Sequence, residues 1–156
     1  MHVKDCFANR HLLVLGDEAF IRTVVSRFLR RSGAASVAEA ADGGSAIRAM
    51  ADYALTFAAV ISDINVQPVN EIELLRAIRT GQDGVKRSTP VLMLTVHSEV
   101  ELVAEAVALD ADAFVLKPIH RDDLIERVCR VLEQPVPVKP AEHYATVAQN
   151  FAPGAN

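Results

Sequence analysis

The feature that most constrains this chain is an alternation, repeated five times, of short apolar runs with segments of helical periodicity. The runs are Leu12 to Leu15, Ser36 to Ala40, Ala59 to Ile61, Val91 to Leu94 and Ala113 to Leu116. A continuous run such as Leu12-Leu13-Val14-Leu15 suits a strand covered on both faces, as strands of a parallel sheet are. After the first run, Phe20, Ile21, Val24, Val25, Phe28 and Leu29 recur on one helical face, and Gly33 is placed to end that helix. Further helices are expected over Gly44 to Tyr53 with Ala46, Ile47 and Met50 inward, and over Glu71 to Thr80 with Leu74, Leu75 and Ile78 inward. A fourth is expected over Glu99 to Leu109 with Ser98 as its N-cap, and a fifth over Arg121 to Glu133 with Leu124, Ile125, Val128, Cys129 and Leu132 inward. Strict strand–helix alternation implies an α/β layer fold, and right-handed crossovers leave few topologies for it.

Length and composition narrow the class further. The 156 residues suit one domain, long enough to bury a core without staples. Trp is absent and aromatic residues are few, so the core is expected to be aliphatic. A net charge of −4 gives no electrostatic reason to bind a nucleic-acid backbone, and Arg30 and Arg31 read as a solvated helix end. The two cysteines, Cys6 and Cys129, have no CxxC partner, which argues against zinc, and Cys129 reads as a small buried hydrophobe. No apolar h-region opens the chain and no apolar run approaches membrane-spanning length, so a cytoplasmic protein is expected. The expected organisation is an N-terminal extension over 1–10, a domain over 11–133 and a flexible tail over 134–156. That tail carries four prolines in 23 residues, and its PVPVKP stretch favours polyproline II.

In open α/β sheets, ligands sit outside the carboxyl ends of the strands. Asp17 lies two residues past the first run, Asp63 follows the third after Ser62, Thr95 follows the fourth and Lys117 follows the fifth. Two carboxylates, a hydroxyl and an ammonium are therefore expected at one sheet edge. They suit phosphoryl transfer. Paired carboxylates repel, a divalent cation relieves the repulsion, and a carboxylate is a competent nucleophile toward phosphorus. A lysine and a hydroxyl opposite the metal would stabilise the transferring group.

The segment VISDINV, the TV after VLML, AFVLKP, LVLGDEAFIR and EAADGGSAI together resemble the receiver domain of two-component response regulators. The resemblance covers about His11 to Glu133. It implies a flavodoxin-like, doubly wound, five-stranded parallel sheet of order 2-1-3-4-5 with five helices. It implies a phosphoacceptor at Asp63, with Mg²⁺ held by Asp17, Asp63 and the backbone carbonyl of Asn65. Thr95 would move toward the phosphoryl group, and Lys117 would pair with Asp63 or the phosphoryl oxygens. Pro118 would follow Lys117 through a cis peptide. Phe114 matches the family's aromatic switch, and a plain core aromatic fits it equally well. Asn65 and His97 match positions that tune dephosphorylation, while a solvated loop histidine is the simpler account of His97. The implied partners are a histidine kinase or histidine phosphotransfer protein, and a downstream protein at the face of the fourth helix, fifth strand and fifth helix. No nucleic acid or membrane is implied. The fourth helix fits a homodimer and plain core packing equally.

The chain departs from the family pattern at Gly16, where a first acid is usual, and at Gln67 and Glu71, where a Pro and a Gly are usual. The resemblance assigns Glu18 to the helix start, pointing elsewhere. These departures motivate an alternative, a pseudo-receiver that binds proteins without phosphate chemistry. A phosphatase of the haloacid dehalogenase type also uses Asp, Thr and Lys, but places a DxD pair after its first strand, where this chain reads GDE.

Overall fold

The computed structural model describes residues 6–52, 56–63, 68–96 and 100–147, and of 68–71 and 100–102 only the backbone. The strands are β1 (His11–Leu15), β2 (Ser36–Ala40), β3 (Phe57–Asp63), β4 (Val91–Thr95) and β5 (Ala113–Leu116). The helices are α1 (Ala19–Arg31), α2 (Gly43–Ala51), α3 (Pro68–Thr80), α4 (Val100–Ala108), α5 (Arg121–Glu133) and a short α6 (Ala141–Ala145). All strand pairs are parallel and the order is β2-β1-β3-β4-β5, as the resemblance implied.

Period-two alternation divides the core into two layers. Leu12 and Val14 of β1 join Val25 and Leu29 of α1 and Leu124, Ile125, Val128 and Val131 of α5. Leu13 and Leu15 turn the other way, into a cluster with Ala46 and Ile47 of α2, Ile72, Leu75 and Ile78 of α3, and Ala106 and Leu109 around the end of α4. Central β3 and β4 are buried nearly throughout, whereas edge strand β5 is only half covered. Gly33 takes φ +109° just past α1, a conformation that a side chain would strain. Pro68 occupies the first position of α3, where a missing N–H costs nothing, so the helix begins three residues before the expected Glu71. Asp42 caps α2 by accepting from the Ser45 backbone N–H at 2.7 Å. Tyr53, Ser98 and Glu99 lie outside the described residues.

Three expectations are corrected. Phe20, placed on the inward face of the first helix, is 77% exposed and sits in the opening turn of that helix, whose buried face begins at Val25. Of the N-terminal segment, the described Cys6 and Phe7 belong to the core, buried in the α1–α5 layer. There burial, reinforced by the Cys129 thiol, pushes the Cys6 thiol up to about 12, so it stays protonated.

The third correction concerns the C-terminal segment, which is docked over the described residues 134–147. Tyr144 is fully buried in the α2–α3–α4 cluster, α6 packs on α3, and Val147 packs against the same cluster. The reason lies in paired donors and acceptors that proline-rich composition does not reveal. The Tyr144 hydroxyl donates to Asp110 Oδ2 at 2.7 Å and accepts from the Lys139 backbone N–H at 2.8 Å. Its carbonyl accepts from Arg76 Nη1 at 2.6 Å. Tyr144→Ala should therefore cost about 3–5 kcal/mol, the range for emptying a buried aromatic site. Urea unfolding would read this as a lower midpoint, and a freely moving tail would leave the midpoint unchanged.

Candidate functional site

The parallel register carries the polar residues to one edge. Leu15 pairs with Ser62, so Gly16 comes alongside Asp63. Asp63 pairs with Leu94 and Thr95 with Leu116, and the Lys117 backbone N–H donates to the Thr95 carbonyl at 2.7 Å. Asp63 and Thr95 end β3 and β4, rather than following them as the sequence suggested, because each strand runs on to its polar residue.

Asp63 is 1% exposed, and its Oδ1 contacts the Lys117 ammonium. Among the described residues, no hydrogen bond reaches the buried Oδ2. Burial pushes the Asp63 carboxyl up, Lys117 opposes that shift, and the Glu18 and Asp17 carboxylates add to it. Asp17, Asp63 and Lys117 are thus brought to one end of the sheet, as expected. Thr95 is buried there too, its hydroxyl donating to the Val96 carbonyl at 3.3 Å. The Lys117–Pro118 peptide is cis. Phe114 is half-buried against the α2–α3–α4 cluster, and its carbonyl accepts from Arg127 Nη1 at 2.9 Å. Asn65 and His97 lie outside the described residues.

Two features escaped the sequence reading. Glu18, assigned away from the site, acts on it: the residue is extended just before α1, and its charge raises Asp63. It therefore supplies part of the negative potential that Gly16 does not. Arg22 is the second, donating from Nη1 to the Gly16 carbonyl at 2.6 Å while its Nε lies 3.5 Å from Glu39. A Cβ on Gly16 would stand 3.0 Å from Asp63 Cβ and 3.8 Å from Arg22 Cγ, so glycine permits this close approach. The helical spacing of Glu18 and Arg22 was the available signal.

The donor set fits a hard divalent cation. Among the described residues no three His, Cys, Asp or Glu side chains gather closely enough to hold a metal by themselves, but Mg²⁺ typically takes only one or two carboxylates and keeps several waters, and the buried Asp63 oxygen with the Asp17 charge acting on it suits that role.

The comparisons agree with this geometry. Residues 12–129 match the response regulator receiver domain family, and the chain belongs to that family. It is similar to the chemotaxis protein CheY of Pseudomonas aeruginosa, 28% identical over 123 residues, which span 79% of this chain and 96% of that protein. Among solved structures it resembles Vibrio cholerae CheY4, with a TM-score of 0.68, 30% identity, and coverage of 80% of this chain and 99% of that one. The same fold occurs in the receiver domain of a P. aeruginosa sensor histidine kinase, solved with a magnesium ion coordinated in its active-site cleft. That match has a TM-score of 0.68 and 23% identity, covering 81% of this chain and all of that one. Receiver domains of this kind are signalling domains of two-component systems, not enzymes in the ordinary sense. No described helix is long and apolar enough to cross a membrane.

Because the folded state raises the Asp63 pKa, it favours the protonated carboxyl. The stabilisation associated with that proton is complete below the ordinary value of 3.8 and is lost as pH rises through the higher folded value. In metal-free buffer at pH 7, Asp63→Asn should therefore stabilise the protein by about 1 kcal/mol, roughly 3 °C in Tm. The advantage should fade as pH falls toward 3.8. Calorimetry across pH checks this, and an asparagine variant less stable at pH 7 would contradict it.

Proposed function

We propose that this protein is a phosphorylation-dependent switch that accepts a phosphoryl group on Asp63 from a phosphohistidine of a histidine kinase or histidine phosphotransfer protein. The observation that carries the proposal is the buried Asp63 carboxylate, with Lys117 on one oxygen and, among the described residues, no hydrogen bond on the other. A carboxylate oxygen of Asp63 attacks phosphorus, the new O–P bond forms as the donor's N–P bond breaks, and imidazole leaves with its electron pair. Lys117 then pairs with the phosphoryl oxygens, and the Thr95 hydroxyl turns toward them. Asp17, Asp63 and the backbone carbonyl of Asn65 would hold Mg²⁺, which would supply neutralisation of the charge that gathers between carboxylates and phosphoryl oxygens. His97 and Asn65 tune how long the phosphoryl group lasts.

The output is a change at the face made by α4, β5 and α5, with Phe114 and Pro118 as its moving parts. Exposed Val107 on α4 and Leu116 on β5 give that face an apolar character suited to a protein partner, or to a second copy of the chain. With a net charge of −4, nucleic acid is a poor candidate for the partner, and no described helix calls for a membrane. The cytoplasm is the compartment consistent with this role.

Incubation with Mg²⁺ and a small-molecule phosphodonor, read by intact mass, should show a labile gain of one phosphoryl group that Asp63→Asn abolishes. Lys117→Ala should slow the gain on the order of 100-fold, the usual effect of removing one charge-stabilising donor. No gain at any Mg²⁺ concentration, with no gain from phosphorylated kinase either, would leave the phosphate-independent binding module. The tight approach of Gly16 to Asp63 would then be its structural basis.

A further inference from the structure

The family match ends at residue 129, so the docked segment 134–147 is an addition to the receiver framework. Its attachments are specific. The Val136 N–H donates to Asp112 Oδ2 at 2.7 Å. Lys139 Nζ and the Tyr144 hydroxyl both bind Asp110 Oδ2, each at 2.7 Å. The Arg87 guanidinium donates to the Lys139 carbonyl. Arg76 holds the Tyr144 carbonyl while its Nη2 lies 3.7 Å from Glu105 of α4. The strap therefore joins α3 to the turn between α4 and β5, gripping that turn at both of its aspartates.

Those aspartates are tied to the sheet. Asp112 Oδ1 accepts from the Val91 N–H, the first residue of β4, at 2.9 Å and from Arg79 Nη2 at 3.0 Å. Arg79 also donates to the carbonyls of Leu109 and Asp110. Thus α4, the start of β4 and the start of β5 are pinned to one another and to the strap. Thr95 and Lys117 stand at the other ends of β4 and β5, four residues from Val91 and five from Asp112.

We propose that residues 134–147 are a strap that favours the unphosphorylated arrangement of α4 and β5, and that phosphorylation of Asp63 loosens it. The inference rests on the switch proposed above. The docked strap accompanies the state in which Lys117 pairs with Asp63. If a phosphoryl group moves Thr95, Lys117 and Phe114, it displaces the β5 and α4 ends that the strap holds, and the strap fits less well. Such coupling is reciprocal: if a phosphoryl group weakens docking of the strap by some factor, the docked strap weakens binding of the phosphoryl group by the same factor, and loosening the strap recovers up to that much.

The test uses the full chain with Mg²⁺ and beryllofluoride, a phosphoryl mimic, and follows amide hydrogen exchange by mass spectrometry. Saturating mimic should speed exchange in 135–147 about five-fold or more, a typical allosteric coupling, while β1 and β3 stay protected. Tyr144→Phe, which keeps the ring and removes the hydroxyl, and Lys139→Met should each bind the mimic several-fold more tightly by fluorine NMR titration. Unchanged strap exchange with the mimic bound, together with unaltered affinity in both variants, would overturn the strap and leave the switch standing. A mimic that does not bind at all would overturn the switch and the strap together.

Discussion

A carboxylate held out of water at the end of the central strand is the constraint around which this protein is arranged. Asp63 is almost fully buried between β1 and β4. Burial of an ion is unfavourable unless an opposite charge and hydrogen bonds compensate it. Lys117 compensates at Oδ1, but among the described residues Oδ2 has no donor, and the Glu18 and Asp17 charges push the carboxyl further up. The site is under-compensated on its own, and an incoming cation or phosphoryl group would relieve it. Perturbed carboxylates of this kind cluster where chemistry is done.

The opposite end of the sheet shows the contrasting solution. Arg79 is nearly as buried as Asp63, yet all five of its N–H groups are used. Nε donates to Leu109, Nη1 to Arg87 and Thr89, and Nη2 to Asp110 and to the Asp112 carboxylate. Burial pulls Arg79 down and Asp112 up, and the ring of acceptors keeps the pair ionised. A fully satisfied buried network rigidifies its surroundings, whereas a partly satisfied one leaves room for change. The molecule therefore has a fixed pole around Arg79 and a responsive pole around Asp63.

Much of this was legible in the sequence because it depends on periodicity and strand ends. The runs around Leu12–Leu15 and Val91–Leu94 were continuous because those strands are covered on both faces. The α5 helix begins and ends where its pattern does, from Arg121 to Glu133, since its apolar stripe lies on one face. Asp17, Asp63, Thr95 and Lys117 could be gathered from position alone, because parallel strands bring all their carboxyl ends to one edge. What was not legible depends on long-range pairing. Tyr144 in a proline-rich segment looks like a solvated residue until Asp110, Lys139 and Arg76 are seen around it. Phe20 fits the helical face by spacing but stands in the opening turn, ahead of the buried face that begins at Val25. The influence of Glu18 on Asp63 depends on the extended backbone before α1, which composition does not encode.

The two poles are connected most directly through β4 and β5. Each strand has its first residue or preceding turn fixed near Arg79 and its last residue, or the next one, at the Asp63 end of the sheet. At about 3.3 Å per residue, four or five residues span roughly 13–16 Å, short enough for a shift at one end to be felt at the other. β4 is buried throughout and paired on both edges, so it has little freedom. β5 is an edge strand, half exposed, with one partner. A displacement that began at Asp63 would therefore be taken up by β5 more readily than by β4. β5 leads out of the turn where Asp110 and Asp112 hold both Arg79 and the C-terminal segment, so the strand with the most freedom is anchored at its start by the fixed pole and the strap together.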